Sequence, residues 1–110
     1  MIKVSITETA FFTLAHLGHY MSEFVGDEQA LALTIKLVEI AENKISRHPE
    51  QFPVCPELDQ LGVTEYRQFT LEKYKIIYRF DDLSEIAYVT TFLRHKQSAQ
   101  ELLVRYSLYR

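Results

Sequence analysis

Between Tyr66 and Arg94 apolar and polar residues alternate in three successive runs, YRQFTL, KYKIIYRF and EIAYVTTFLR. A period of two predicts β-strands, so this stretch reads as a three-stranded meander. Ile2, Val4 and Ile6 alternate with Lys3 and Ser5 in the same way, and a strand so early has to pair with a later one. Between these regions the spacing changes to three and four. Phe11, Leu14, Ala15, Gly18, Met21 and Val25 form one stripe, and Ala30, Leu33, Thr34, Leu37, Val38, Ile40, Ala41 and Ile45 form a second, broader one. Both are patterns of amphipathic helices. After Lys96, Ser98 and Glu101 make a capping box that starts a last helix, with Ala99, Leu102, Leu103 and Tyr106 as its stripe and Tyr109 near its edge. The order β-α-α-β-β-β-α predicts one α+β two-layer domain over residues 1–110, a helix hairpin packed on one face of an antiparallel sheet.

Local chemistry sets the boundaries. Thr7 or Thr9 caps the first helix, and Gly26 closes it. Asp27 opens the second helix so soon afterwards that the two must run antiparallel. Pro49 ends the second helix, and residues 49–65, with three prolines, form a folded-back loop with at most a helical turn around Leu58. A two-residue turn at Glu72 and Lys73 sets Leu71 opposite Tyr74, Phe69 opposite Ile76 and Arg67 opposite Tyr78 on an apolar face. With a second turn at Asp81–Ser84, Ala87, Val89, Thr91 and Leu93 continue that face. Tyr66, Gln68, Thr70, Lys75, Ile77, Arg79, Ile86, Tyr88, Thr90, Phe92 and Arg94 then share the other, where Lys75, Arg79 and Arg94 converge. A bulge would exchange the faces.

The composition fits this picture. With 110 residues, 47% of them apolar, the chain can bury roughly two-thirds of its unfolded surface without covalent staples. The single cysteine, Cys55, forms no internal disulfide, which points to a reducing cytoplasm. No run approaches a membrane span, and MIKVSITE lacks the layout of a signal peptide. His16 and His19 lie three apart on one helix, but no third ligand is placed near them, so neither metal nor cofactor is expected. The net charge of −3 conceals an asymmetry. Residues 1–65 hold four bases against ten acids, whereas the remainder holds eight bases against five acids. Only the meander and tail therefore suit an anionic partner.

The element order, with KYKIIYRFDD leading into EIAYVTTFLRHKQS, resembles the RelE/ParE superfamily of toxins from bacterial type II toxin-antitoxin modules over nearly the whole chain. The sharpest part is the hairpin, in which Arg67 is followed by Tyr74, Lys75, Ile76 and Ile77 before Tyr78. The resemblance implies a cognate antitoxin as partner, and it leaves three activities. A RelE-like member cuts messenger RNA on the ribosome. That chemistry needs a base for the 2'-hydroxyl, a cation for the developing phosphorane charge and an acid for the leaving oxygen. Arg79 and Arg94 would stabilise charge, His95 would exchange protons and Lys75 would hold phosphate. Strand parity turns His95 away from Arg94 unless the strand has ended. A ParE-like member inhibits DNA gyrase without a catalytic constellation. The third activity is an inactive member that only binds antitoxin. As binding residues the resemblance nominates Arg67, Lys75, Arg79, Arg94, Lys96, Tyr106 and Tyr109. The loop before the meander, where ribonuclease members supply lysines, contains no Lys or Arg here, and the sequence pI is about 5.8. Work among RNA phosphates favours strong positive charge. The gyrase inhibitor is the expected activity.

Overall fold

The computed structural model describes residues 2–94. Its elements are β1 (Lys3–Ile6), α1 (Glu8–Val25), α2 (Asp27–Arg47), the single turn α3 (Pro56–Asp59), β2 (Tyr66–Leu71), β3 (Tyr74–Asp81) and β4 (Ile86–Arg94). The expected last helix, with His95, Lys96, Tyr106 and Tyr109, lies outside the described residues. The strands form one sheet in the order β1-β4-β3-β2, antiparallel except for β1, which runs parallel to β4. The fold is α+β, with the helix pair packed on one face of this sheet.

Residue chemistry accounts for the helix ends. The Thr7 side chain accepts the Ala10 amide at 3.1 Å and so caps α1. Gly26 stands between the helices at φ 86, a left-handed conformation that suits glycine, and serves as the end of one and the cap of the other. At the helix crossing, a Cβ on Gly18 would lie 3.1 Å from Thr34 Cγ2, so a small residue lets α1 and α2 approach closely.

α1 is rotated from the face that periodicity alone predicts. Its buried residues are Ala10, Thr13, Leu14, Leu17 and Met21, whereas Phe11 and Val25 are exposed. The reason lies at β4. β1 pairs with β4 only as far as Val89, so further along, the edge of β4 needs another partner. α1 supplies it, because the Thr13 hydroxyl accepts the Phe92 amide at 3.0 Å and donates to the Ala10 carbonyl at 2.8 Å. Replacing Thr13 with valine keeps the shape but leaves a buried amide without a partner. The expected cost is about 2 kcal/mol, with serine much milder. The check is chemical denaturation together with faster hydrogen exchange at the Phe92 amide.

The β2–β3 register is the predicted one: Leu71 opposite Tyr74, Phe69 opposite Ile76, Arg67 opposite Tyr78. Glu72 takes φ 55 in the connecting turn. The second turn lies one residue later than expected, since Asp81 still pairs with Ile86. Farther along the β3–β4 hairpin the register shifts. Ile77 faces Thr91, but Tyr78 faces Val89, so Thr90 is the extra residue of a bulge and its hydroxyl bonds the Ile77 carbonyl at 3.2 Å. Beyond the bulge the faces of β4 are exchanged. Phe92 and Arg94 join Ile76 and Tyr74 on the helix side, while Thr91 and Leu93 turn away.

Candidate functional site

The bulge decides the fate of the expected basic face. Arg94 lies opposite Tyr74, on the side of the sheet that the helices cover, and its guanidinium stacks 3.9 Å from the centre of the Tyr20 ring on α1. Lys75 and Arg79 remain on the other side. The predicted convergence of Lys75, Arg79 and Arg94 is therefore not formed, because one extra residue in β4 reverses the parity of everything after it.

The outer face is also less open than the alternation suggests. Residues 49–65 fold back over it, and Cys55, Leu58 and Val63 pack on Tyr66, Ile77 and Leu93 as a second, smaller core. The loop is fixed by backbone as well. The Cys55 amide donates to Tyr66 at 2.8 Å and the Gln68 amide to Pro53 at 3.0 Å, which covers part of the outer edge of β2. Arg67 belongs to this clamp. Its guanidinium donates to the Phe52 carbonyl at 2.7 Å and to the Glu50 carbonyl at 3.3 Å, while the Tyr78 hydroxyl donates to the Pro49 carbonyl at 2.6 Å.

Lys75 is buried beneath the same loop, 7% exposed, and its ammonium meets Glu57 at 2.6 Å. The acid of an acidic loop thus neutralises the lysine of an apolar strand. Burial pushes the Cys55 thiol above its ordinary range, offset in part by hydrogen bonds from the Leu58 and Glu57 backbone, so it is held as the neutral thiol. Arg79 stacks 4.4 Å from the centre of the Tyr88 ring, its direct cross-strand partner, on a half-buried part of the outer face. Burial raises the hydroxyls of Tyr66 and Tyr74 above their usual range and that of Tyr78 to about 12. Among the described residues no group of three His, Cys, Asp or Glu side chains is placed to hold a metal, and His16 and His19 are exposed. No helix there is long and apolar enough to cross a membrane.

On the helix side, between the end of α1 and the β2–β3 turn, lies a pocket of about 520 Å³. Tyr20, Met21, Phe24, Tyr74, Lys73 and Arg94 line it. The periodicity of α1 contains Met21, and the alternation of β3 contains Tyr74. Their meeting with Arg94 depends on the bulge and was invisible in either pattern alone.

The family model for the ParE toxin of the type II toxin-antitoxin system, parDE, matches residues 4–99. No curated protein sequence matches the chain. Among solved structures, the chain resembles one titled as the chromosomal ParDE toxin-antitoxin system of P. aeruginosa, with a TM-score of 0.68 and 20% identity over 86% of this chain and 96% of that one. It also resembles a chain in the RelBE2 toxin-antitoxin complex of Mycobacterium tuberculosis, with a TM-score of 0.63 and 19% identity over 87% and 93%. The isolated E. coli RelE toxin aligns over 96% of this chain and 98% of its own, at 20% identity and a TM-score of 0.51. At such identities the likeness establishes the shared fold.

Proposed function

Since the chain belongs to the ParE toxin family of type II toxin-antitoxin systems, we propose that it is a toxin that inhibits DNA gyrase by binding and is silenced by a cognate antitoxin. The observation that carries this reading is the disposition of the cations. RNA cleavage needs a base, an acid and a cation around one phosphate. Here Lys75 is committed to Glu57, Arg67 to two backbone carbonyls, and Arg94 to the opposite side of the sheet from Arg79. Each contact has a role in holding the fold. A protein that acts by occupying a partner's surface needs no such convergence. Lys96, Tyr106 and Tyr109 keep their proposed parts as binding residues, while His95 has a part only in the ribonuclease alternative.

Expression in a bacterial host is expected to arrest growth and to produce gyrase-linked DNA breaks, and co-expression of the antitoxin should prevent both. Translated messages should stay intact, whether the chain carries Arg94 and His95 or alanine at both positions. Cleaved messages without DNA breakage would replace this reading with the ribosome-dependent ribonuclease. Unimpaired growth with folded protein in the cell would leave a member that binds antitoxin alone.

A further inference from the structure

The buried stripe of α2 consists of Ala30, Thr34, Leu37, Ala41 and Ile45, which accounts for the place of the helix against the rest of the domain. Leu31 and Ile35 lie four residues apart on a different face and stay 63% and 51% exposed. Neither belongs to the core of the described residues. Phe11 and Phe12 on α1 are exposed to a similar degree, 54% and 56%. An open groove of about 400 Å³ runs between the two helices, and in it the small residues Ala15 and Gly18 leave a hollow beside Phe11 and Leu31. Four large side chains at half exposure leave on the order of 400 Å² of apolar surface in water. Patches of that size mark contact sites.

We infer that this outer face of the helix hairpin is the docking site for a second copy of the chain, with the two α2 helices antiparallel about a two-fold axis near Leu31 and Ala32. A two-fold contact must be complementary to itself. This face carries both halves, since Leu31 and Ile35 protrude where Ala15 and Gly18 leave room. Each copy fills the hollow of the other. Charge obeys the same symmetry. Glu28 and Lys36 are exposed and lie eight residues apart on α2, so reversing the helix about Leu31 and Ala32 brings Glu28 within one residue of the level of the partner's Lys36. Acid then meets base at both ends of the contact. The antiparallel helices also set the positive end of one dipole beside the negative end of the other. An interface of standard size buries about 800 Å² on each partner around an apolar centre with a polar rim. The patch supplies that centre, and Glu28, Lys36 and His19 belong to its rim. A nucleic acid does not fit, because Glu8, Glu23, Asp27 and Glu39 leave these helices strongly acidic. The inference is separate from the gyrase reading, because self-association is measured on the purified chain without gyrase or message.

Sedimentation equilibrium of the full-length chain, from about 1 to about 200 μM, is expected to show a reversible equilibrium between monomer and dimer. Leu31→Lys places a charge in the middle of the contact and should raise the dissociation constant at least about thirtyfold. The position is exposed within one copy, so an unchanged far-ultraviolet circular dichroism spectrum should report an intact fold. Glu28→Lys and Lys36→Glu each put like charges together and should weaken association about tenfold. An equimolar mixture of those two variants sets an acid against a base again at each end, and it should associate as well as the parent does. A chain that stays monomeric over the whole range overturns the inference, and so does a dimer indifferent to Leu31→Lys. A mixture no tighter than its separate components overturns the antiparallel pairing. A monomer that instead binds a lysine-rich amphipathic peptide, and loses it on Leu31→Lys, also overturns the inference, since the occupant of the face is then another protein.

Discussion

Truncating Tyr78 to alanine is expected to destabilise the protein by about 4 kcal/mol, the range seen when a buried aromatic ring is removed and its cavity only partly collapses. Tyr78 is fully buried in the main core, and Phe52 packs edge-on against it with ring centres 6.3 Å apart. Its hydroxyl also holds the Pro49 carbonyl at 2.6 Å, so one side chain joins β3 to the loop that leaves α2. Tyr78→Phe isolates that second role. It should cost about 1–2 kcal/mol, since the ring stays and one hydrogen bond is lost.

The same pair of variants predicts a pH dependence. Burial raises the Tyr78 hydroxyl to about 12 in the folded chain, above its ordinary value of 10. The folded state therefore keeps a proton that the unfolded chain releases. Its contribution is complete below pH 10 and is lost as the pH rises through the interval from 10 to about 12. Two units correspond to about 2–3 kcal/mol. Urea midpoints followed by far-ultraviolet circular dichroism should fall steeply over that interval in the parent and less steeply in Tyr78→Phe. Some slope persists in the variant, because Tyr66 and Tyr74 are raised by burial as well. An identical slope in parent and variant would show that Tyr78 is not the group responsible.

What could be read from the residues was whatever period and punctuation encode. The β2–β3 register followed from the Glu72–Lys73 turn, and the helix hairpin followed from Gly26 between two stripes. The bulge at Thr90 had no such mark. VTTFL contains no glycine and alternates no worse with the extra residue than without it, and β-branched residues at Val89, Thr90 and Thr91 suit either register. The choice is made in three dimensions. With the bulge, Phe92 enters the main core under α1 and its amide finds Thr13. Thr13 in turn explains the rotation of α1, because a threonine does not count toward an apolar stripe although its hydroxyl is the acceptor the sheet needs.

The candidate site suffered from the same limit. Lys75, Arg79 and Arg94 were found as residues, but their relation depended on parity across the bulge. Arg67, which the resemblance nominates as a binding residue, is a clamp on two carbonyls, a role that residue type does not announce. The loop 49–65 carried a signal in its apolar residues. Cys55, Leu58 and Val63 recur where a loop in water would be polar, and that marks a segment folded onto something.

Glu57 tests that loop most directly. Glu57→Ala is expected to destabilise the protein by about 3 kcal/mol, toward the lower end for breaking a buried ion pair because Glu57 itself reaches solvent. The physical reason is asymmetry. Glu57 can lose its partner and hydrate, whereas Lys75, with 9% of its side chain exposed, would leave an ammonium under an apolar lid. Lys75→Met alone should therefore cost less than Glu57→Ala, and Lys75→Met in the Glu57→Ala background should recover most of the loss. The four stabilities form a cycle whose coupling term is the pair itself. Because the pair is shielded, its coupling should survive 0.5 M salt, at which a Debye length of about 4 Å screens exposed pairs. The cycle also bears on function. If the proposed reading holds, Lys75→Met in the restored background keeps its effect on gyrase, since the lysine serves the loop. Additive single losses would mean that the contact contributes nothing, and a restored fold that no longer poisons gyrase would make Lys75 a contact for the target.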